Sequence, residues 1–553
     1  MAVPSLDRKP IYAPRGVVAT SQPLAAAAGV AALRRGGNAV DAAIATAIAL
    51  TVVQPGSNDI GGDMFAIVWD GTRLHGLNAS GRSPAALTRD VVLDRLDETP
   101  RPFAGALGGD QGTAPLTMPS HGWLPVTVPG APAGWRDLHE KFGALPFAEL
   151  FDDAVAYADQ GYLVSPTVAY HWDRSATMLH PKLSGPQFAH WPEVFTMDGV
   201  RAPRAGERWR NPAGARTLRR IAETKAEAFY HGEIAQTIAD FAARTGGLLA
   251  AADLAEHRSA WVDPICAGYR GYEVWEIPPN GQGIAALLAL NVLDGCDIAA
   301  ASLEERLHWQ VEAMKLGFAD AHTYVADPEH ANVPTQALLT PEYSATRRAL
   351  IGERAATPAP GDPARGGTVY LCAADADGMM VSLIQSTYMG FGSHVTVPGL
   401  GFGLQNRGAG FSMEAGHRNV VAPGKRPFHT IIPAFLTRDG APVGPFGVMG
   451  GHMQPQGHMQ VAMSTVDDGL DPQAALAEPR WYWHAGLSVH VEPHLLATPE
   501  GAAAVEGLRR RGHEVSIGES AAMFGNGQAI WRMPDGGYVA GSEPRADGCA
   551  SAY

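Results

Sequence analysis

The sequence predicts an α+β protein in which sheets are layered between helices, and three observations lead there. Helical patterns dominate the chain before residue 368 and strand patterns dominate after it, the arrangement expected when helices cover sheets. The 553 residues are 46% hydrophobic. That exceeds one ordinary core, so two or three layers, or two intertwined segments, are needed. No self-similarity at solenoid periods competes with this reading.

The elements follow in order. Pro23 to Arg35 and Ala39 to Val52 are expected helices, rich in alanine and leucine and broken at Gly36-Gly37. Met64 to Trp69 and Leu74 to Ala79 read as strands, with Asp70-Gly71 between them as a hairpin signal. Pro132 to Gly161 is helical with a break at Gly143, Asn211 to Ala242 holds two more helices, and Leu303 to Tyr324 is one long amphipathic helix. Ala355 to Gly367, with three prolines and three glycines, is the main break in composition. Beyond it come strand patterns at Val395 to Leu404, Ile431 to Leu436 and Pro445 to Met449. A helix over Gln456 to Val466 and a strand-rich tail to Tyr553 complete the chain.

Thr368 opens the strand region. Thr368 to Ala374 mixes apolar and β-branched residues, Asp375-Ala376-Asp377-Gly378 is a turn signal, and Met379 to Tyr388 resumes a strand. A hairpin closed on that turn sets Thr368 opposite Gln385 or Ser386, so Ser386 offers a hydroxyl across the ladder. Most Gly-Thr junctions are plain strand starts, and a serine there is ordinary strand-end packing. Threonine is also a nucleophile when its own α-amine is free to act as base, and a glycine-ended loop is where a cut just before it can occur.

Composition narrows the function classes. Net charge is −14 with acids and bases interspersed, which argues against nucleic-acid binding. Four cysteines without a CxxC pair or zinc spacing fit a reduced, cytoplasmic protein. The first twenty residues hold no apolar signal region and no window reaches the length of a membrane span, which points the same way. His429, His452 and His458 share a region but match no helical ligand pair, and no carboxylate stands near them in a ligand pattern, so no metal or cofactor is expected. A protein that only binds a ligand is the remaining competing class, and an uncleaved, inactive wild type would favour it.

A set of short strings carries a resemblance. Gly36-Gly37-Asn38-Ala39-Val40-Asp41-Ala42-Ala43, Ile60-Gly61-Gly62-Asp63-Met64-Phe65, Val128-Pro129-Gly130 followed by Gly134-Trp135, and Pro278-Pro279-Asn280-Gly281-Gln282-Gly283 come first. Phe391-Gly392-Ser393, Lys425-Arg426-Pro427, Gly450-Gly451, Pro544-Arg545 and Ala552-Tyr553 follow. In this order, along nearly the whole chain, they resemble the gamma-glutamyltransferase family of N-terminal nucleophile hydrolases.

The resemblance implies a four-layer αββα sandwich and a chain that cleaves itself, without cofactor, between Gly367 and Thr368. A large segment (1–367, ending in a processing loop at 355–367) and a small one (368–553) would then stay associated as one intertwined unit. The Thr368 hydroxyl attacks the Gly367 carbonyl, and the ester is hydrolysed. The same hydroxyl then attacks a small-molecule amide with its α-amine as base, and water or an amine resolves the acyl-enzyme. Ser386 orients the nucleophile. Gly450-Gly451 falls where the family supplies oxyanion donors, each typically worth about 3 kcal/mol. A homo-oligomer is left open.

The substrate grip departs from the family. The carboxylate-holding arginine falls on Ser80, with Arg82 two residues later. The ammonium-holding asparagine and aspartate fall on Tyr388 and Gly410, a glutamine of the same pocket on Arg407, and the paired serines on His429-Thr430. Losing an aspartate and gaining an arginine disfavours an ammonium and favours a carboxylate. The expected substrate is therefore an amide with a carboxylate on its acyl part and no α-amino group. Family precedents are oxamate amidohydrolase and acylases of glutaryl-type amides such as cephalosporin side chains. Arg407 is the first candidate partner for the carboxylate and Arg82 the second. The alternative keeps gamma-glutamyl compounds such as glutathione as substrates.

Overall fold

Strands fill positions on both sides of residue 368. In the computed structural model, which describes residues 6–96, 116–357 and 367–553, they form two seven-stranded antiparallel sheets. The first runs Ile11–Ala13, Tyr538–Ser542, Asn526–Arg532, Ala441–Met449, Ala434–Arg438, Tyr272–Glu276, Ile265–Tyr269. The second runs Cys549–Ala552, Val17–Thr20, Gly367–Ala374, Met380–Tyr388, Asp63–Trp69, Leu74–Ala79, Ala260–Val262. Residues 358–366 of the expected processing loop lie outside the described residues.

Three buried clusters define four layers. Tyr370, Cys372, Ile384, Phe65 and Ile67 of the second sheet meet Phe435, Met449 and Ile530 of the first. Alternate residues of the same strands (Val369, Leu371, Leu383, Ala66) face the other way, onto the helices Pro23–Arg34, Ala39–Val53, Ala131–Phe142 and Pro212–Thr224. The outer face of the first sheet is covered by Ile284–Asp294, Leu303–Tyr324, Met453–Val466 and Pro499–Arg510. The period of two in the strands thus builds the αββα order directly. Among the described residues, no helix is long and apolar enough to cross a membrane.

The central helix Ala39–Val53 is buried along its whole length, which its Ala/Ile/Val composition permits. Asn38 caps it, with Asp41 closing a capping box. Elsewhere the chain departs from the sequence reading. The strand expected over Val395 to Leu404 is an irregular loop with two isolated bridges, Thr396 to Gly403 and Leu404 to Gly61. Pro398 cannot donate to a ladder, and Gly399 and Gly401 adopt φ of 80° and 72°, which folds the chain back. The strand expected from Ile431 starts at Ala434, just past Pro433. The tail, read as strand-rich, also contains the helix Pro499–Arg510 capped by Thr498.

Candidate active site

The hairpin at the centre of the second sheet places the nucleophile candidate. Val369 pairs with Gln385 and Gly367 with Tyr388, so the ladder bulges at Thr368. The bulge brings Thr368 Oγ1 to 3.2 Å from Ser386 Oγ. Both residues are buried, and both lie on the face turned to the other sheet, as their parity with Tyr370 and Ile384 requires. The turn closes as its residues dictate: Asp375 Oδ1 accepts the amides of Asp377 and Met379, and Gly378 takes φ 91°.

Ser386 is a junction. Its Oγ accepts the Tyr388 amide at 2.7 Å and Arg407 Nη2 at 3.1 Å. Arg407 Nη1 donates to Thr430 Oγ1 at 2.7 Å, and its guanidinium lies 4.2 Å over the Tyr388 ring. Tyr388 holds φ 80°, uncommon for a bulky residue and kept here by these contacts. Arg407 is wholly buried, its Nε meets no acceptor, and it forms no salt bridge among the described residues. The other buried arginines compared with it differ in their carboxylate contacts, although Arg480 Nε also meets no acceptor. Arg480 pairs with Glu543 at 3.0 Å, and Arg545 with Glu492 at 2.6 Å and Glu543 at 2.7 Å. Burial pulls the Arg407 guanidinium down to about 10, against the opposing pull of Asp63.

Asp63, a strand-start residue by sequence, belongs to this site. It pairs with Ser386 across the ladder. Its Oδ1 accepts the amides of Gly81 and Gly130 and Gln405 Nε2, and its Oδ2 lies 3.0 Å from His429 Nε2. Burial raises its carboxyl to about 7, with Arg407 and these hydrogen bonds pulling downward. His429 Nδ1 receives the Ile431 amide, so Nε2 is the nitrogen that carries the proton and donates to Asp63. Burial holds this imidazole far below its ordinary value. A single acidic residue at the head of an otherwise apolar strand was the signal available in the sequence.

Gly450 and Gly451 turn the chain from strand Ala441–Met449 into helix Met453–Val466, with φ of 137° and 63°. Side-chain residues rarely adopt either value, so the pair needs glycine. Gln282 ties this turn to the nucleophile hub: its Nε2 donates to Gly451 O at 2.9 Å and to Thr430 O at 2.7 Å. A continuous path of hydrogen bonds therefore runs from Gly451 through Gln282, Thr430, Arg407 and Ser386 to Thr368.

Other sequence candidates are placed differently. Arg82 is engaged by Glu329 at 2.6 Å and Asp327 at 3.3 Å and is partly exposed. Both carboxylates engage its charge and are shared with Arg426, so Arg407, which has no such contact among the described residues, stays the first candidate for a substrate carboxylate. Ser80 is buried and bonded to Asn78 and Asn280, and Asn280 O in turn receives the His429 amide. Gly410 has no room for a side chain, since an added Cβ would stand 2.7 Å from Phe428 O. The three histidines weighed as metal ligands have separate partners: His429 meets Asp63, His458 meets Glu276 at 2.6 Å, and His452 packs on His322 and Phe428. Elsewhere His308, Glu312 and His513 bring ligating atoms within 4.8 Å of one another. There Lys315 Nζ already holds Glu312 at 2.7 Å, so the carboxylate is matched within the chain.

The family profile described as gamma-glutamyltranspeptidase matches residues 25–553. A "Glutathione hydrolase-like YwrD proenzyme" of Bacillus subtilis is 34% identical, covering 98% of this chain and 99% of its own. The "Oxamate amidohydrolase proenzyme" of Klebsiella pneumoniae is 32% identical over 97% of this chain and 98% of its own. Among solved structures, a cephalosporin acylase from Bacillus halodurans superposes with a TM-score of 0.92 at 49% identity, covering 100% of this chain and 98% of its own.

Proposed function

The chain belongs to the gamma-glutamyltranspeptidase family, and from that premise we propose that Thr368, freed by cleavage after Gly367, hydrolyses an amide whose acyl part bears a carboxylate and no α-amino group. It is a self-processing N-terminal nucleophile amidohydrolase of acyl amides. The observation that supports the finer reading is Arg407, wholly buried beside the Thr368–Ser386 pair, with no acceptor on Nε and no salt bridge among the described residues. A buried cation with no carboxylate in direct contact is held at a cost, and a substrate carboxylate would supply that contact. The absence of an acidic side chain at Gly410, where Phe428 O closes the space, leaves a substrate ammonium without that partner.

In this reading the Thr368 α-amine takes the hydroxyl proton and Oγ1 attacks the substrate carbonyl. The amides of Gly450 and Gly451 receive the oxyanion. The amine leaves with the proton, and water releases the acid. Arg407 fixes the acyl end, so the scissile carbonyl is presented to Thr368 at a set distance. The segments 1–367 and 368–553 remain associated, since each sheet contains hydrogen-bonded strands from both. We place the protein in the cytoplasm, consistent with its four free cysteines.

The name of the Bacillus subtilis relative favours a second reading, in which gamma-glutamyl compounds are hydrolysed. Intact mass of wild type and Thr368→Ala tests the nucleophile: two fragments split at Gly367-Thr368 are expected for the wild type and a whole chain for the variant. Turnover of oxamate, a glutaryl anilide and a gamma-glutamyl anilide tests the substrate. Turnover of the gamma-glutamyl compound alone would reverse the assignment.

A further inference from the structure

Resting on the reading of Arg407 as the carboxylate partner, we propose that the site takes up its anionic substrate together with one proton, held in the contact between Asp63 and His429. Asp63 and Arg407 are buried opposite charges that are not in contact, and three stretches of neutral residues each touch or adjoin both. His429 contacts Asp63 while the adjacent Thr430 receives Arg407 Nη1. Ser386 pairs with Asp63 across the ladder and receives Arg407 Nη2. Gln405, two residues before Arg407, donates to Asp63 Oδ1 at 2.9 Å.

Both ions are wholly buried, and their charges cancel when the site is empty. A substrate carboxylate on Arg407 brings a second negative charge to one positive charge. In a closed, poorly hydrated space that surplus is expensive, and a proton from solvent removes it. The groups facing the pair decide where the proton goes. Tyr230 is buried with its hydroxyl pushed up by desolvation, so it stays protonated throughout. His452, near Arg407, is held neutral by burial. The Thr368 α-amine, once freed, is the remaining competitor. Asp63 is already poised, its carboxyl raised by burial and restrained chiefly by Arg407. A substrate anion cancels that restraint, so its proton affinity rises on binding. No covalent step is involved: one proton from solvent is taken up at Asp63 Oδ2, which then donates to His429 Nε2 across the 3.0 Å contact, while the ring's own proton moves to Nδ1 and gives up the long 3.4 Å contact from the Ile431 amide.

The test is calorimetric titration of the processed enzyme with pyruvate and with 5-oxohexanoate. These are one-carboxylate ketone analogues of oxamate and of a glutaryl amide, with no amine to release. Each titration is run near pH 7.5 in two buffers of different ionisation enthalpy. The expected result is uptake of between about half and one proton per ligand bound, with affinity falling up to about tenfold per pH unit on the alkaline side. In Asp63→Asn the uptake vanishes and the affinity becomes independent of pH. Binding without buffer dependence in the wild type overturns the proton coupling and leaves the Arg407 reading intact. Uptake that persists in Asp63→Asn assigns the proton to the α-amine and also overturns it. If neither analogue binds, the carboxylate reading itself fails. The wild-type proton count stands even if Asp63→Asn does not fold.

Discussion

Replacing Arg407 by methionine keeps much of the apolar stem over Tyr388 and removes the charge. Its effect on catalysis has two parts that a pair of substrates separates. Arg407 positions Ser386 and Thr430 through bonds of 3.1 and 2.7 Å, and losing these slows every substrate alike. In the proposed reading it also holds the substrate carboxylate, which matters only for a substrate that has one. Arg407 has five N–H donors, of which two are spent on Thr430 and Ser386, so Nε and one hydrogen on each terminal nitrogen remain for the ligand. Two charge-assisted bonds at about 1.5–3 kcal/mol each, or the loss of one partner of a buried pair at about 3–5 kcal/mol, bracket the interaction. The lower end of that bracket, about 3 kcal/mol, corresponds to roughly 150-fold in rate.

The assay compares kcat/KM for glutaryl-p-nitroanilide and valeryl-p-nitroanilide, in which a methyl group replaces the carboxylate, using cleaved wild type and cleaved Arg407→Met. The wild type should prefer the glutaryl compound by at least two orders of magnitude, and the variant should lose most of that preference. The cycle isolates the coupling between the arginine and the carboxylate. An equal loss on both substrates, with the preference unchanged, would show that Arg407 only positions Ser386 and would refute the charge argument.

Gly450→Ala should lower kcat by about 10²-fold with less effect on KM, because an alanine at φ 137° is strained and its methyl stands 3.2 Å from Gly525 Cα, displacing the amides proposed to receive the oxyanion. Steady-state kinetics on the cleaved variant check this, and an unchanged kcat would remove the pair from the oxyanion role. Glu312→Ala leaves the buried Lys315 ammonium without its partner at 2.7 Å and should destabilise the fold by about 3–5 kcal/mol, seen as a lower denaturation midpoint. Asp59 is held up to about 7 by burial although the Gly403 and Ile60 amides oppose it. The folded chain therefore keeps a proton that the unfolded chain gives up, and stability drains away as pH rises from about 4 to 7. Thermal midpoints of Asp59→Asn relative to wild type should climb over that window; a constant difference would mean the carboxyl is ionised throughout.

The nucleophile hairpin was legible because its turn is written in residue types. Asp375 and Gly378 fix the loop, and the period of two fixes the faces, so the pairing of Thr368 with Ser386 followed to within one residue. The bulge at Thr368 was not legible, since nothing in Gly-Thr-Val distinguishes an extra residue in one strand from a regular ladder. Long helices such as Leu303–Tyr324 came out at their observed ends, where Ser302 and Glu305 form a capping box. The hairpin of Ile265–Tyr269 and Tyr272–Glu276 was missed although Arg270 and Gly271 both take positive φ, because an arginine at the first turn position carries little signal. Proline decided other misses: Pro398 and Pro433 truncate strands that hydrophobicity alone extends. Arg407 entered through the resemblance, while Asp63 entered only when the ladder set it beside Ser386. Charge partners separated by more than three hundred residues leave no local trace.

The buried ions sort by how completely each is matched. Arg480 and Arg545 share Glu492 and Glu543 in direct contact, and Lys315 is closed on Glu312. Such clusters have no capacity for another charge, and adding one would break contacts already made. Asp63 and Arg407 are matched only at a distance, through Ser386, Thr430, His429 and Gln405. That spacing lowers the attraction that holds the pair together, and it leaves Arg407 Nε with no acceptor. A fold selected for stability alone gains by closing such a pair or replacing it with apolar side chains. Keeping it open beside Thr368 leaves Arg407 Nε for a further acceptor, and in the proposed reading that acceptor is the carboxylate of a bound substrate, with the accompanying proton on Asp63.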